Sequence, residues 1–220
     1  MKHNFSFSNS SVGKKILMGV SGLFLCSFLL VHLSGNFLLF KNDGGKAFDE
    51  YAHFMSTNGI TRIMEIVLVV GFVFHIVTGT KLWLKNRQAR KTKYQSYQLK
   101  ENTQLASRFS MLSGSIVFFF LVVHLKSFWF DGRIMGTPSM YQLVAQSFSN
   151  VFYSGFYLVA LVLLAYHLKH GFQAAFQSLG LRQKKYIGLL DTIALIFWLL
   201  IPLGFATMPI YFLLFYKSVV

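Results

Sequence analysis

Acidic residues are scarce in this chain. Seven Asp and Glu stand against 21 Lys and Arg in 220 residues, and all charged residues together make only 13%. A soluble domain of this length would carry roughly 25% charge, so an ordinary water-facing globule is excluded. Cysteine is nearly absent too. Cys26 alone allows no internal disulfide and no cysteine-ligated iron–sulfur cluster. It sits mid-span among Leu and Phe, where a free cysteine acts as a small packing residue. No glycine-rich nucleotide loop and no nucleophile–base arrangement occurs, and the connections between apolar blocks are too short to hold a catalytic domain.

What the chain does have is apolar length. Hydrophobic residues make 54% of it and mean hydropathy is +0.51. The apolar stretches run approximately from Ile16 to Phe40, Ile63 to Leu84, Phe109 to Phe130, Val151 to Phe176 and Tyr186 to Tyr216. As a helix, each is long enough to cross a hydrocarbon core of about 30 Å. The expected architecture is an all-α membrane protein of five transmembrane helices, with residues 1–220 forming a single domain in the lipid bilayer. Twenty-five Phe and ten Tyr suit lipid-facing and interfacial positions. The first block is too long for a signal peptide and no small-residue cleavage site follows it, so it reads as a retained helix. Pro202 and Pro209 are expected to kink the last span.

The net charge of +14 would suggest nucleic acid in a soluble protein. Here the basic residues lie between apolar blocks, and membrane orientation explains them without a nucleic-acid partner. Lys2, Lys14 and Lys15 precede the first span. Lys85, Arg87, Arg90, Lys91, Lys93, Lys100 and Arg108 fill the second connection, and Arg182, Lys184 and Lys185 the fourth. The first and third connections are poorer in base and hold Asp43, Asp49, Glu50 and Asp131. The positive-inside rule then puts the N-terminus in the cytoplasm and the C-terminus outside. In the first connection, Phe48, Tyr51, Ala52 and Met55 recur at helical spacing opposite Asp49, Glu50, His53 and Ser56. That pattern predicts a short amphipathic helix at the outer surface.

Four of the seven histidines fall inside spans: His32, His75, His124 and His167. A single intramembrane histidine is as readily hydrogen-bonding glue between helices as a functional group. One in each of the first four helices is a different matter. With alternating helix directions, His32 and His124 share the outer half, and His75 and His167 share the inner half. Two pairs at two depths are what two stacked haems require, because imidazole is an axial ligand for haem iron and ligands in a bundle project inward from facing helices. The expectation is a haem-binding four-helix bundle plus a fifth helix.

A weak internal repeat supports the pairing. Ser21-Gly22 precedes His32-Leu33 as Ser113-Gly114 precedes His124-Leu125, and Gly79 follows His75 as Gly171 follows His167. A glycine four residues from a histidine lies near its face of the helix and leaves room for a flat macrocycle. Gly22 and Gly114 lie about 15 Å along the helix from their own histidines, near the level of the other pair. Close helix–helix packing accounts equally well for some of these glycines.

In order, the strings VHLSGN, AHFM, FHIVTG, VVHL and YHLKHG resemble the dihaem cytochrome b membrane anchor of succinate:quinone oxidoreductases, the single-subunit five-helix type of succinate dehydrogenase and fumarate reductase. The resemblance covers nearly the whole chain. It implies two haem b groups, the inner held by His75 and His167 and the outer by His32 and His124. It implies a flavoprotein subunit with FAD and an iron–sulfur subunit docked on the cytoplasmic face of the cell inner membrane. Quinone is the implied substrate, and members often favour menaquinone.

Three further residues have competing readings. Glu65 near the outer start of the second span either stabilises a helix N-terminus or exchanges a proton with quinone, as an outer acid in the resembling family would. His53 on the polar face of the surface helix is a haem-propionate or quinone contact, or a solvated histidine. His170 is a propionate contact or an interfacial residue, and Lys81, Lys169 and Arg108 are further candidates for inner propionates. Two other classes remain open. A proton-coupled transporter can use intramembrane histidines as a relay, although broken helices or repeat-related halves around a midplane site are the commoner pattern. A haem-free anchor would simply tether catalytic subunits.

Overall fold

The computed structural model describes residues 10–89 and 110–216. Lys2, Arg90, Lys91, Lys93, Lys100 and Arg108, which carry part of the orientation argument and one propionate expectation, lie outside the described residues. The described elements are helical, and five helices are long and apolar enough to span a membrane: Val12–Phe40, Gly59–Gln88, Ser110–Ile134, Val151–Ser178 and Ile187–Phe215. The chain is an all-α, multi-pass membrane protein. The second helix extends four residues beyond the apolar block at each end, because backbone hydrogen bonding carries a helix into the polar interface after its hydrophobic run stops.

In chain order the α-helices are α1 (Ser11–Asn36), α2 (Lys46–Thr57), α3 (Gly59–Ala89), α4 (Ser110–His124), α5 (Met140–Ser149), α6 (Val151–Ser178), α7 (Ile187–Leu195) and α8 (Ile201–Phe215). Ser10 starts α1 by accepting the Gly13 amide at 2.9 Å, a standard N-cap. A single 3₁₀ turn, Phe37–Phe40, follows α1. Two π-helical stretches interrupt the spans: Leu125–Ile134 after α4 and Ile196–Leu200 between α7 and α8. The second lies just before Pro202. Pro202 cannot donate a hydrogen bond and its ring crowds the carbonyl four residues back. That residue is Trp198, inside the π turn. Helix α8 continues through Pro209.

Helix α6 is the hub. It packs against α1, α4 and α8, while α3 joins the bundle through α1 and α2. Its buried residues Ser154, Tyr157, Ala160, Leu161, Leu168, Phe172 and Ala175 follow the helical period, with one turn skipped between Leu161 and Leu168, one stripe turned inward. Helix α3 has no buried stripe, and Ile63, Ile66, Val70 and Val73 are exposed, as lipid-facing residues are.

One end of the bundle is capped. Helix α2 is the expected amphipathic helix, with Phe48 buried and Glu50 and His53 exposed. It lies against α5, a short helix within the third connection. Ser139 caps α5 by accepting the Gln142 amide at 3.1 Å, and Asp49 accepts the Tyr141 amide at 2.8 Å, tying α2 to α5. Beneath them Leu39, Phe48, Val144, Ala145, Phe148, Ile201, Met208 and Phe212 form the largest buried cluster. The chain enters α2 through Gly45 at φ +91°, a left-handed conformation that glycine alone adopts freely.

Candidate functional site

The structure brings the four intramembrane histidines together in two pairs. The His32 and His124 rings lie 5.7 Å apart between centroids, with their planes at 88°. The His75 and His167 rings lie 6.3 Å apart, at 76°. The first pair is nearer the capped end. Among the described residues no group of three or more His, Cys, Asp or Glu side chains converges, so these histidines meet strictly in twos.

The spacing can be tested against a metal-centred pair. An imidazole–metal bond is about 2.0–2.1 Å, so two imidazoles on opposite sides of one metal place their nitrogens about 4 Å apart and their ring centres about 6 Å apart. Both observed separations lie close to that value. A pair of imidazoles with no third His, Cys, Asp or Glu beside it among the described residues is also a donor set that haem iron takes. The residues present therefore fit a bis-imidazole haem at each pair.

The surroundings of the pairs differ. A Cβ added to Gly22 would lie 3.3 Å from His75 Cε1, and one added to Gly114 would lie 3.2 Å from His167 Cε1. The repeat that places these glycines on α1 and α4 thus sets each against the histidine of a neighbouring helix. Gly79 packs against the end of the Met18 side chain, and Gly171 faces open space. Around His32 and His124 the walls are aromatic. Phe28 stacks on His32 at 5.2 Å and 15°, Phe205 lies 5.5 Å from it, and Phe120 and Phe128 lie 5.7 and 5.4 Å from His124.

Hydrogen bonds orient the rings. Ser21 Oγ donates to the Met18 carbonyl at 2.9 Å and lies 3.1 Å from His75 Nδ1. With its own hydrogen committed, the hydroxyl accepts from Nδ1–H and leaves His75 Nε2 bare, the arrangement a metal-ligating histidine uses. Ser113 is the repeat counterpart of Ser21 and donates in the same way to the Ser110 carbonyl at 3.1 Å. It is not bonded to His167, whose Nδ1 is buried with no hydrogen-bond partner among the described residues. His124 Nδ1 lies 3.3 Å from the Tyr157 hydroxyl. His32 Nδ1 lies 3.4 Å from Asn36 Nδ2, at the edge of bonding range, while that amide donates to the His32 carbonyl at 2.7 Å.

Glu65 is placed differently from the helix-end expectation. Helix α3 begins at Gly59 and has no acid in its first turn, and Asn58 does the capping by accepting the amides of Ile60 and Thr61. The helix-dipole reading of Glu65 is therefore corrected. Its Oε1 accepts Trp129 Nε1 at 2.7 Å, and its Oε2 accepts Arg62 and Arg133 Nη1, each at 2.7 Å. Arg133 also donates to the Ser56 carbonyl at 3.3 Å. Glu65 thus joins α3 to the π-helical stretch after His124, at the capped end. Local sequence pattern cannot pair Glu65 with Trp129 and Arg133, which lie 64 and 68 positions along the chain from it. His53 is exposed on α2 and His170 half-buried three residues beyond His167. Lys169 lies over the Trp198 ring at 4.5 Å, and Lys81 is exposed.

A family profile for the succinate dehydrogenase/fumarate reductase transmembrane subunit matches residues 84–203, more than half of the chain. Comparison with curated proteins and with solved structures finds no match. The chain belongs to that family of membrane subunits.

Proposed function

We propose that this succinate dehydrogenase/fumarate reductase membrane subunit is an electron-transferring dihaem cytochrome b, with His75 and His167 holding one haem and His32 and His124 the other. The observation that carries the reading is the meeting of four intramembrane histidines in two pairs at 6.3 and 5.7 Å. Haem iron supplies one-electron carriage between an iron–sulfur partner and quinone. The chain's own residues do the rest. Ser21 fixes the tautomer and orientation of His75, glycine faces at Gly22 and Gly114 let His75 and His167 approach α1 and α4, and aromatic rings keep water from His32 and His124.

In this reading the N-terminus is cytoplasmic and the capped end faces outward across the cell inner membrane. The FAD-bearing flavoprotein and the iron–sulfur subunit dock at the opposite end, nearer His75 and His167. Quinone, with menaquinone the favoured species, reacts near His32 and His124. A quinone takes up protons with its electrons, and in this reading Glu65, bonded to the segment that follows His124, exchanges one. Its bonds to Arg62, Arg133 and Trp129 favour a second role, as a clasp between α3 and the segment following His124. His53 and His170 keep their place as propionate or quinone contacts.

The deciding experiment is an oxidised-minus-reduced optical spectrum of the complex purified in mild detergent with its subunits. Two b-type components and co-purification of a flavoprotein and an iron–sulfur protein are expected. A histidine-relay transporter or a haem-free anchor would show no b-type bands, and that result would end the dihaem reading.

A further inference from the structure

Tyr157 occupies a position that two histidine pairs alone do not explain. It lies on the inward stripe of α6 at 4% exposure, amid the rings of Phe120, Phe128, Phe148 and Phe156. A phenol hydroxyl in such a cage is costly unless it is bonded. Its partners are the Tyr153 hydroxyl at 2.9 Å and His124 Nδ1 at 3.3 Å. Tyr153 would satisfy it alone, so the approach of His124 to the same oxygen is a second, separate feature. A pattern joins the two pairs here. In each, one ring has its Nδ1 facing a hydroxyl from a neighbouring helix: His75 faces Ser21, and His124 faces Tyr157.

We propose that Tyr157 is the positioning residue of the His32–His124 site. This rests on the reading that these two histidines hold a haem. The Tyr157 oxygen accepts from His124 Nδ1–H, so the ring's other nitrogen stays unprotonated toward His32. Tyr157 passes its own hydrogen to the Tyr153 oxygen. Tyr153 in turn lines a groove of about 450 Å³ with Ser147, Asn150, Phe152 and Phe156, so the hydrogen-bonded chain runs from His124 to the surface of the capped end. An acceptor on the imidazole N–H makes the ring a more electron-rich ligand, which favours the ferric state. Tyr157 thereby holds the potential of the haem at this pair below the value it would otherwise have.

The test is an optical redox titration of the whole complex carrying Tyr157→Phe. Phenylalanine fills the same space and removes only the hydroxyl. The component that His124 replacement abolishes should titrate at higher potential, and the component that His167 replacement abolishes should stay where it is. Tyr153→Phe leaves the Tyr157 oxygen in place but takes away the acceptor of its hydrogen, so the same component should move in the same direction by less. Both potentials unchanged in Tyr157→Phe, or both shifted equally, would overturn the proposal. If Tyr157→Phe does not assemble, Tyr153→Phe decides alone: a selective shift supports the link to His124, and none refutes it. Wild-type complex without b-type bands would overturn this proposal together with the function reading. Intact bands with unmoved potentials would overturn this proposal alone.

Discussion

The two histidine pairs have the same donors at nearly the same separation, yet they are built from different materials. His32 and His124 sit under the capped end, walled by Phe28, Phe120, Phe128, Phe205 and Tyr157. His75 and His167 sit where α1 and α4 present Gly22 and Gly114 to the ring edges. Aromatic walls pack densely and repel water, and they allow a site to lie close to the surface. Glycine walls let two helix backbones close in on a ring, at the expense of side-chain contacts that would hold it. Orientation at the second pair then depends more heavily on single hydrogen bonds such as Ser21–His75.

The hardest break is at the ligands themselves. Replacing His75 or His167 by Ala should remove the haem at that pair and leave the other, and replacing His32 or His124 should do the reverse. Optical difference spectra of the four variants check this. Any variant that keeps two low-spin bis-histidine components eliminates the altered residue as a ligand.

Next in size is the loss expected at the glycine wall. Gly114→Leu puts a branched side chain where a Cβ alone would already lie 3.2 Å from the His167 ring. The His75–His167 component should fall to a small fraction of its wild-type absorbance while the His32–His124 component survives. Equal loss of both would mean that the substitution unfolds the bundle, and the contrast between the two walls would fail.

Glu65→Gln addresses the capped end. Glutamine keeps an acceptor for Trp129 but removes the titrating carboxyl. General acid–base groups commonly contribute about 100-fold or more to rate, so quinone-linked turnover should drop by about that factor. Haem spectra and succinate oxidation with an artificial dye should stay normal. Wild-type quinone turnover would leave Glu65 as the clasp to Arg62 and Arg133 and move proton exchange elsewhere.

The smallest effect separates the two halves of the internal repeat. Ser21→Ala takes the acceptor from His75 Nδ1 and should raise the potential of the haem at that pair. Ser113→Ala, at the corresponding place but not bonded to His167, should change it less. Redox titration of the two variants gives the comparison, and equal shifts would show that the Ser21 bond has no particular role in the site.

Much of this molecule is legible in its sequence. Long apolar blocks can satisfy their backbone in a bilayer only as helices, so composition and block length are enough for five spans. A histidine's depth follows from its count along a helix of known rise, so the pairing of His32 with His124 and of His75 with His167 could be expected from residue numbers. The same holds for α2, whose 3.6-residue period is local. The short α5 escaped because the apolar residues of a ten-residue helix in a connection do not stand out from a loop, and what holds it is Asp49 and the Phe48 cluster from elsewhere in the chain. Only the tertiary structure could decide the remaining points. Gly22, expected at the level of the other pair, meets His75 in particular, Glu65 meets Trp129 and Arg133 rather than a helix end, and Tyr157 reaches His124. Each is a contact between helices, and the rotation of one helix against another is set by packing among many side chains, not by the order of residues within either one.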